Sequence, residues 1–224
     1  MPLIFAGLPI GNIDDLSVRV KEAISNADII AAEDTRVFKN LLRRADLKTN
    51  AKIISFFDHN ENQKTKLLLD SARDKNALIV SDAGMPAISD PGWTLMSAAI
   101  ENDIEYAVLP GPSAFLQALI MSGFPIDKFS FLGFAPRRAG KLEQFYNEIA
   151  NTSHTVAFYE SPHRIEKSLQ TASTILKNRE IAVCREITKK YESTIRGNAS
   201  SVLEAISHLS KLGELTVVVS SLQC

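Results

Sequence analysis

Short, almost wholly apolar runs alternate with amphipathic segments along the first half of this chain. Leu3–Ala6, Ile29–Ala32 and Ala77–Val80 contain no charged residue, and each precedes a segment with the apolar spacing of a helix. Strands that are apolar on both faces are typical of parallel sheets covered by helices on both sides. The alternation therefore predicts an α/β fold with a mostly parallel sheet in the N-terminal part.

A stretch rich in proline, glycine and phenylalanine, residues 123–140, interrupts this alternation. Beyond it, Thr155–Tyr159, Ile181–Cys184 and Thr216–Ser220 are predicted strands, with helices predicted between them. Such a change in composition favours a domain boundary. We predict an N-terminal α/β lobe over residues 1–122 and a C-terminal α/β lobe over residues 123–224.

Composition narrows the class of protein. The formal net charge of -1 is not that of a protein that coats nucleic acid, although a local basic patch would suffice to bind RNA. The N-terminus lacks the features of a signal peptide, and no apolar run approaches the roughly 20 residues that span a bilayer. A disulfide between Cys184 and the terminal Cys224 is not expected. We therefore expect a cytoplasmic protein with no membrane partner.

Polar loops follow several predicted strands, which is where ligands bind in open α/β sheets. The loop at residues 7–12 lacks G-x-G-x-x-G spacing and, taken alone, is best explained as a turn. In the loop at residues 81–92, Asp90 is predicted to cap the next helix, whereas Asp82 has no such role and is expected to be functional. Ser113 is explained almost equally well as a ligand contact or as a helix cap.

Acids and cations also cluster at strand ends. Glu160, His163 and Arg164 together form a site candidate, while Glu33 with Arg36, and Lys189, occur in charged segments that could each be a solvated face. Walker A, C-x-x-C and H-E-x-x-H motifs are absent, and the four histidines lack the spacing of metal ligands. The chemistry is therefore expected to need neither a metal nor a protein nucleophile. Transfer from an activated donor between two bound reactants fits these constraints.

Six motifs in this sequence, taken together, resemble those of a known family. They are P-I-G-N (9–12), A-E-D-T-R (32–36), S-D-A-G-M-P-A-I-S-D-P-G (81–92), P-G-P-S-A (110–114), F-Y-E-S-P-H-R (158–164) and R-E-I-T-K (185–189). The chain resembles the tetrapyrrole methylase superfamily and, within it, the small-subunit (16S) rRNA cytidine-2'-O-methyltransferases. The motifs follow the family order over almost the whole chain.

The resemblance implies a two-lobed α/β fold, distinct from Rossmann-type methyltransferases, with a mixed sheet in the C-terminal lobe. It further implies S-adenosylmethionine in the cleft between the lobes, a homodimer, and methylation of a cytidine ribose in the 16S rRNA of the small ribosomal subunit. Longer relatives carry a helical C-terminal extension, whereas this chain ends just after Thr216–Ser220. If that extension contacts the ribosome, substrate binding is expected to differ here.

Site residues follow from the matching motif positions. The implied cofactor contacts are Leu8, Pro9, Ser81, Asp82, Met85, Ser113, Ala114, Tyr159 and Ile187. For catalysis, either Glu160 or Glu33 is predicted to accept or orient the hydroxyl proton. Arg36, Arg164 and Lys189 are predicted to hold RNA phosphate or a developing alkoxide. Buried ion pairs that hold the lobes together are the alternative for some of these residues.

Three further interpretations stay open at this point. Arg137, Arg138 and Lys141 beside Phe134 suit RNA phosphates and splayed bases, or are a solvated helix start. The substrate of this methyltransferase could instead be a tetrapyrrole or diphthine precursor, although the A-E-D-T-R and Y-E-S-P-H-R segments argue against that. A non-catalytic ribosome-assembly factor that retains the fold is the alternative from a different class.

Overall fold

The computed structural model describes residues 3–57, 59–207 and 213–222. The chain divides into two compact units, Met1–Ser113 and Ala114–Cys224. In the first unit, strands and helices alternate as the sequence predicts. Its elements are β1 (Leu3–Ala6), α1 (Val18–Asn26), β2 (Ile29–Ala32), α2 (Thr35–Arg44), β3 (Lys52–Ser55), α3 (Glu61–Ser71), β4 (Ala77–Val80), α4 (Trp93–Glu101) and β5 (Tyr106–Leu109).

The first sheet is wholly parallel, with the strand order β3-β2-β4-β1-β5. Its central strand β4 alternates between two cores. Leu78 and Val80 face one core with α1 and α2, while Ala77 and Ile79 face the other with α3 and α4. Since all five strands run in one direction, their carboxyl ends share one edge. At that edge, the loop after β4 lies between the loops after β1 and β2.

The start of α4 differs from the prediction. Helix α4 begins at Trp93 with Gly92 as N-cap, so Asp90 lies two positions too early to act as that cap. A carboxylate from α3 replaces it, because Glu61 Oε1 accepts the N–H of Gly92 at 2.9 Å and of Thr94 at 3.1 Å. The predicted capping role of Asp90 is therefore wrong.

The second unit contains a mixed sheet, as expected. Its strand order is β6-β7-β10-β8-β9, in which only β6 and β7 are parallel. Its elements are α5 (Ala114–Ser122), β6 (Phe129–Phe134), α6 (Ala139–Ala150), β7 (Thr155–Glu160), α7 (Ile165–Ile175), β8 (Ile181–Arg185), β9 (Ser193–Gly197), α8 (Ala199–Ser207) and β10 (Leu215–Val219).

Helix α5 explains where the two units divide. It packs against β7, β8 and β10, and Arg196 Nε donates to the carbonyl of Ser122 at its end, at 2.9 Å. The division therefore falls before α5, whereas the boundary predicted at 122/123 falls after it. Among the described residues, no helix is both long and apolar enough to cross a bilayer. Cys224, for which no disulfide is expected, lies outside the described residues.

Candidate active site

Three acids from two separate motifs meet at the carboxyl edge of the first sheet. Asp34 donates its N–H to Asp82 Oδ1 at 2.9 Å, and Asp82 donates its N–H to Glu33 Oε2 at 3.2 Å. They meet because β2 and β4 are adjacent, with Ala32 paired to Val80. The sequence identified Glu33 and Asp82 separately, and the strand order brings them into direct contact.

Asp82 has the electrostatics of a ligand-binding carboxylate. Burial raises the pKa of its carboxyl group, and the neighbouring carboxylate of Asp34 acts in the same direction. The N–H of Asp34 and the charge of Arg36 oppose this shift of the Asp82 pKa. A partly desolvated carboxylate gains from hydroxyl or ammonium donors that replace its lost water.

Asp34 and Arg36 form the exposed part of this cluster. Asp34 is the N-cap of α2 and accepts the N–H of Arg36 at 2.8 Å. The Arg36 guanidinium pairs with the same carboxylate at 2.6 Å while its side chain stays 88% exposed. The side-chain hydrogen bond from Arg36 lowers the pKa of Asp34 to about 2. Arg36 is thus a surface cation whose direction is fixed by a helix cap.

The loops after β1, β4 and β5 approach so closely that side chains are excluded. Leu8 and Gly84 exchange two backbone hydrogen bonds, of 2.8 and 3.0 Å. A Cβ added to Gly7 would lie 2.6 Å from both the Gly111 Cα and the Met85 Sδ. Only glycine therefore fits at this contact, where the backbones of the two loops pack against each other and against Met85.

The loop after β4 also carries backbone strain. Ala87 and Ser89 have φ values of 68° and 64°, in the left-handed region that residues other than glycine rarely adopt. Strain of this kind persists only where the surroundings enforce it, and it concentrates at binding sites. Of the predicted cofactor contacts, Leu8, Pro9 and Ser81 are buried, and Asp82, Met85 and Ser113 are half-buried at this edge.

In the second unit, Glu160 ends β7 as a buried ion pair. Its Oε1 accepts the guanidinium of Arg164 at 2.6 Å and the N–H of Ser161 at 2.7 Å, and its side chain is 1% exposed. Arg164 also donates to the carbonyl of Ala135 at 3.2 Å. The second oxygen, Oε2, is buried and has no hydrogen-bond partner among the described residues. His163, from the same motif, is exposed.

Tyr159 and Ile187, two predicted cofactor contacts, lie elsewhere in the second unit. Tyr159 is half-buried, with its ring 4.9 Å from that of Phe131. Ile187 is 6% exposed between two residues of positive φ, Glu186 and Thr188.

Ala114 and Lys189 are the remaining predicted residues of this unit. Ala114 is half-buried at the start of α5. Lys189 fastens the turn around Ile187, with its Nζ 3.0 Å from Glu186 Oε1 and 3.3 Å from Glu214 Oε2. The Lys189 ammonium is therefore engaged by two carboxylates.

A parallel α/β sheet with glycine-tight strand-end loops, followed by a mixed sheet, matches a known class of enzyme. The chain belongs to the Tetrapyrrole (Corrin/Porphyrin) Methylases, whose family model matches residues 2–203. It is therefore a methyltransferase, as predicted.

Its sequence relatives carry a more specific name. The chain is 40% identical over 218 residues to the Ribosomal RNA small subunit methyltransferase I of Halalkalibacterium halodurans, covering 97% of this chain and 75% of that protein. It is 39% identical over 222 residues to the protein of the same name from Thermotoga maritima, covering 97% of each. Relatives with this name thus include one matched over nearly its whole length.

Solved structures agree on the fold. A cobalt precorrin-4 methyltransferase superposes with a TM-score of 0.71 at 16% identity, covering 98% of this chain and 95% of that one. A uroporphyrin-III-C-methyltransferase from Thermus thermophilus gives a TM-score of 0.65 at 14% identity, covering 97% and 93%. The predicted tetrapyrrole methylase-like fold is confirmed.

Proposed function

We propose that this methyltransferase transfers the methyl group of S-adenosylmethionine to 16S rRNA of the small ribosomal subunit. The observation that carries this proposal is the 38–40% identity, over nearly the whole chain, to several proteins named for small-subunit rRNA methylation. The motif resemblance supports a finer statement, that the acceptor is the 2'-hydroxyl of a cytidine ribose. We place the reaction in the cytoplasm, where ribosomal subunits are assembled.

The strand-end loops of the first unit have the chemistry that S-adenosylmethionine needs. Asp82 offers a half-buried carboxylate to hydroxyl or amino donors, and the close contact of Gly7 with Gly111 and Met85 holds the loops after β1, β4 and β5 together. We propose that Ser81, Asp82 and Met85, with the backbone of Leu8 and Pro9 and with Ser113, hold the cofactor. When bound, it supplies a methyl group already activated by a positively charged sulfur. Ala114, Tyr159 and Ile187 stay predicted contacts.

Methylation of a hydroxyl requires an aligned acceptor and a site for its proton. We propose that Glu160 Oε2 accepts the proton of the substrate hydroxyl. A buried carboxylate oxygen without a hydrogen-bond donor is unfavourable in free energy, and a substrate hydroxyl would supply the missing donor. Arg164 then acts as a positioning residue that fixes Oε1 and balances the charge. Glu33 has a different task in this proposal, since its carboxylate holds the Asp82 backbone.

The two remaining predicted cations differ in availability. Arg36 is 88% exposed, which suits contact with an RNA phosphate. Lys189 is held by Glu186 and Glu214, so we propose that it stabilises the turn that carries Ile187 and does not bind phosphate.

We also propose a homodimer, formed through the apolar surface of α5 and β6. Ile120 is 72% exposed and Leu116 45% exposed on α5, and Phe129 is 42% exposed on the edge strand β6. Exposed apolar side chains on neighbouring elements mark interaction surfaces. Light scattering of the Ile120→Glu variant should report a monomer where the unaltered chain reports a dimer.

Methyl transfer tests the proposed reaction directly. Purified protein and S-adenosylmethionine with a tritiated methyl group are incubated with small subunits from a strain that lacks this methyltransferase. Naked 16S rRNA and soluble tetrapyrroles serve as alternative acceptors. We expect label in the subunit rRNA, on a cytidine ribose after nuclease digestion. Label in a tetrapyrrole, or subunit binding without any transfer, would overturn the proposal in favour of a tetrapyrrole enzyme or an assembly factor.

A further inference from the structure

We propose that a basic and aromatic surface of the second unit binds a single-stranded segment of the RNA substrate. This surface, here called the β6–α6 surface, consists of Phe134 at the end of β6 and Arg137, Arg138 and Lys141 at the start of α6. The proposal rests on the proposed rRNA substrate and extends it from the reaction to the surface that recognises the RNA.

Phe134 is the exposed end of a row of aromatic rings that contact one another. Phe115 stacks on Phe131 at 4.3 Å between ring centroids, Phe131 contacts Tyr159 at 4.9 Å, and Tyr159 contacts Phe134 at 5.2 Å. The last ring is 61% exposed. A phenylalanine supported on one side and open on the other offers a rigid face on which a nucleobase can stack.

A β-bulge places Phe134 in this position. β6 pairs with β7 in regular parallel register up to Phe131, opposite Ala157, and then shifts so that Phe134 lies opposite Tyr159. Gly133, within the shift, has a φ of 65°, which glycine adopts without strain. Bulges in edge strands commonly change the direction of a side chain. The exposure of Phe134 is therefore explained by the backbone geometry of β6.

Three exposed cations follow Phe134. No acidic residue occurs between Phe134 and Lys141, and Arg137, Arg138 and Lys141 are all exposed. None of the three forms an ion pair within the described part of the chain, whereas the four ion pairs found there involve other cations. Unpaired cations beside one another favour a polyanion.

The start of α6 strengthens the positive potential. Arg138 is the N-cap of α6 and its side chain makes no capping hydrogen bond, so the cap residue itself does not satisfy the first N–H groups of the helix. Such groups, together with the helix dipole, attract phosphate. Because the formal net charge of the chain is -1, this potential is local and would direct RNA to one region.

The combination favours single-stranded RNA over other anionic partners. In a duplex the base faces are stacked inside the helix, whereas loops and ends of RNA expose them to aromatic side chains. An acidic peptide would use the three cations but would gain nothing from a planar aromatic face. The ring and the cations together therefore match an unstacked base flanked by phosphates.

Matched substitutions in the full-length protein test this surface by binding alone. The probes are a fluorescein-labelled single-stranded oligocytidylate, its duplex with oligoguanylate, an acidic oligoglutamate, and small ribosomal subunits. Arg137→Ala/Arg138→Ala is compared with Lys167→Ala/Lys177→Ala, which removes two exposed lysines of the same unit. Phe134→Leu is compared with Tyr191→Leu, at another exposed aromatic residue, 63% exposed beside Lys190.

We expect the arginine variant to weaken oligocytidylate and subunit binding and to reduce the slope of log K against log salt by about two, one per lost phosphate contact. Phe134→Leu should weaken oligocytidylate binding by on the order of tenfold with an unchanged salt slope. The two control variants should bind like the unaltered protein.

Three results would overturn the proposal: control variants that lose as much affinity as the test variants, Phe134→Leu binding that is unchanged, or tighter binding of duplex or oligoglutamate than of oligocytidylate. These measurements need no methyl transfer. A protein that binds RNA through this surface but fails to methylate subunits would therefore contradict the proposed reaction and leave the surface intact.

Discussion

Two strand-end acid–arginine pairs, one in each unit, look alike in sequence and differ in their surroundings. In the first unit, Asp34 and Arg36 pair with side chains that are 28% and 88% exposed. In the second, Glu160 and Arg164 pair with side chains that are 1% and 29% exposed. Both arginines lie at the start of the helix that follows the strand.

Because the two pairs differ in burial, we expect them to contribute differently to stability and to function. An exposed pair is screened by water and contributes little to stability. A buried carboxylate depends on its partner, because removing the partner leaves an unpaired charge in the interior. Residue types and spacing alone therefore leave open which pair is structural, which is catalytic and which only directs a surface cation.

The largest difference is expected when each arginine is replaced by methionine. Arg164→Met leaves the Glu160 carboxylate buried, with the Ser161 N–H as its one remaining donor in the described part of the chain, which we expect to lower the free energy of unfolding by about 2–4 kcal/mol. Arg36→Met should lower the free energy of unfolding much less, because the pair is exposed. Urea denaturation of both variants measures this.

A double variant checks the cause of that loss. Arg164→Met/Glu160→Gln removes the unpaired charge and should recover part of the stability that Arg164→Met loses, as expected for coupled neighbours. If Arg164→Met and Arg36→Met lowered the free energy of unfolding equally, the difference in burial would not translate into a difference in stability.

The second prediction concerns the reaction. Glu160→Gln retains an oxygen that can accept from Arg164 and from the Ser161 N–H, so the protein should fold and bind S-adenosylmethionine. Loss of the proton acceptor should lower kcat by about a hundredfold. Glu33→Gln, in the first unit, also keeps an oxygen that can accept the Asp82 N–H, so it should leave both kcat and cofactor binding nearly unchanged.

Single-turnover methyl transfer and calorimetric cofactor binding separate these effects. A Glu160→Gln protein that methylates at the normal rate would remove Glu160 from the chemistry. If Glu33→Gln instead lost the chemical step with normal cofactor binding, the two acids would have to exchange roles.

The sequence predicted the first unit well because its strands are buried on both faces. β1, β2 and β4 appear as uninterrupted apolar runs between helical segments, a pattern that parallel sheets impose. β6 was missed, since this edge strand is half-exposed, is interrupted by Gly133 and lies in the stretch interpreted as a boundary. β9, also an edge strand, carries Arg196 and Gly197 and gave no apolar signal.

Site prediction had a different limit. Motif positions identified Glu33, Asp82 and Glu160, but the contact between Glu33 and Asp82 depends on the strand order, which places β2 beside β4. The unpaired oxygen of Glu160 depends on burial. Long-range pairing and burial arise from tertiary packing, so one sequence shows which residues are candidates but does not show which of them meet.

Glu61 is intermediate between the two pairs in burial and in the loss of stability that we expect when it is replaced. Its half-buried carboxylate accepts two backbone N–H groups at the start of α4 and forms no ion pair among the described residues. Glu61→Ala should cost about 1–2 kcal/mol, the usual loss for a helix cap. Glu61→Gln keeps one acceptor oxygen and should lose less. Thermal unfolding monitored by circular dichroism ranks the two, and equal losses would contradict the capping role.

The smallest expected effect is a shift in pKa at the exposed pair. The pKa of Asp34, about 2, lies below its ordinary value of 3.8. The pair therefore stabilises the folded state fully at pH values above 3.8, and this contribution is lost as the pH falls through about 2. In Arg36→Met the carboxyl keeps the N–H of residue 36 but loses the side-chain hydrogen bond, which is the larger cause of the shift. Its pKa should therefore rise part of the way towards 3.8, as followed by the carboxyl carbon signal in an NMR titration. An unchanged pKa would mean that the helix cap alone holds Asp34 ionised, and that Arg36 is free to contact RNA without cost to its partner.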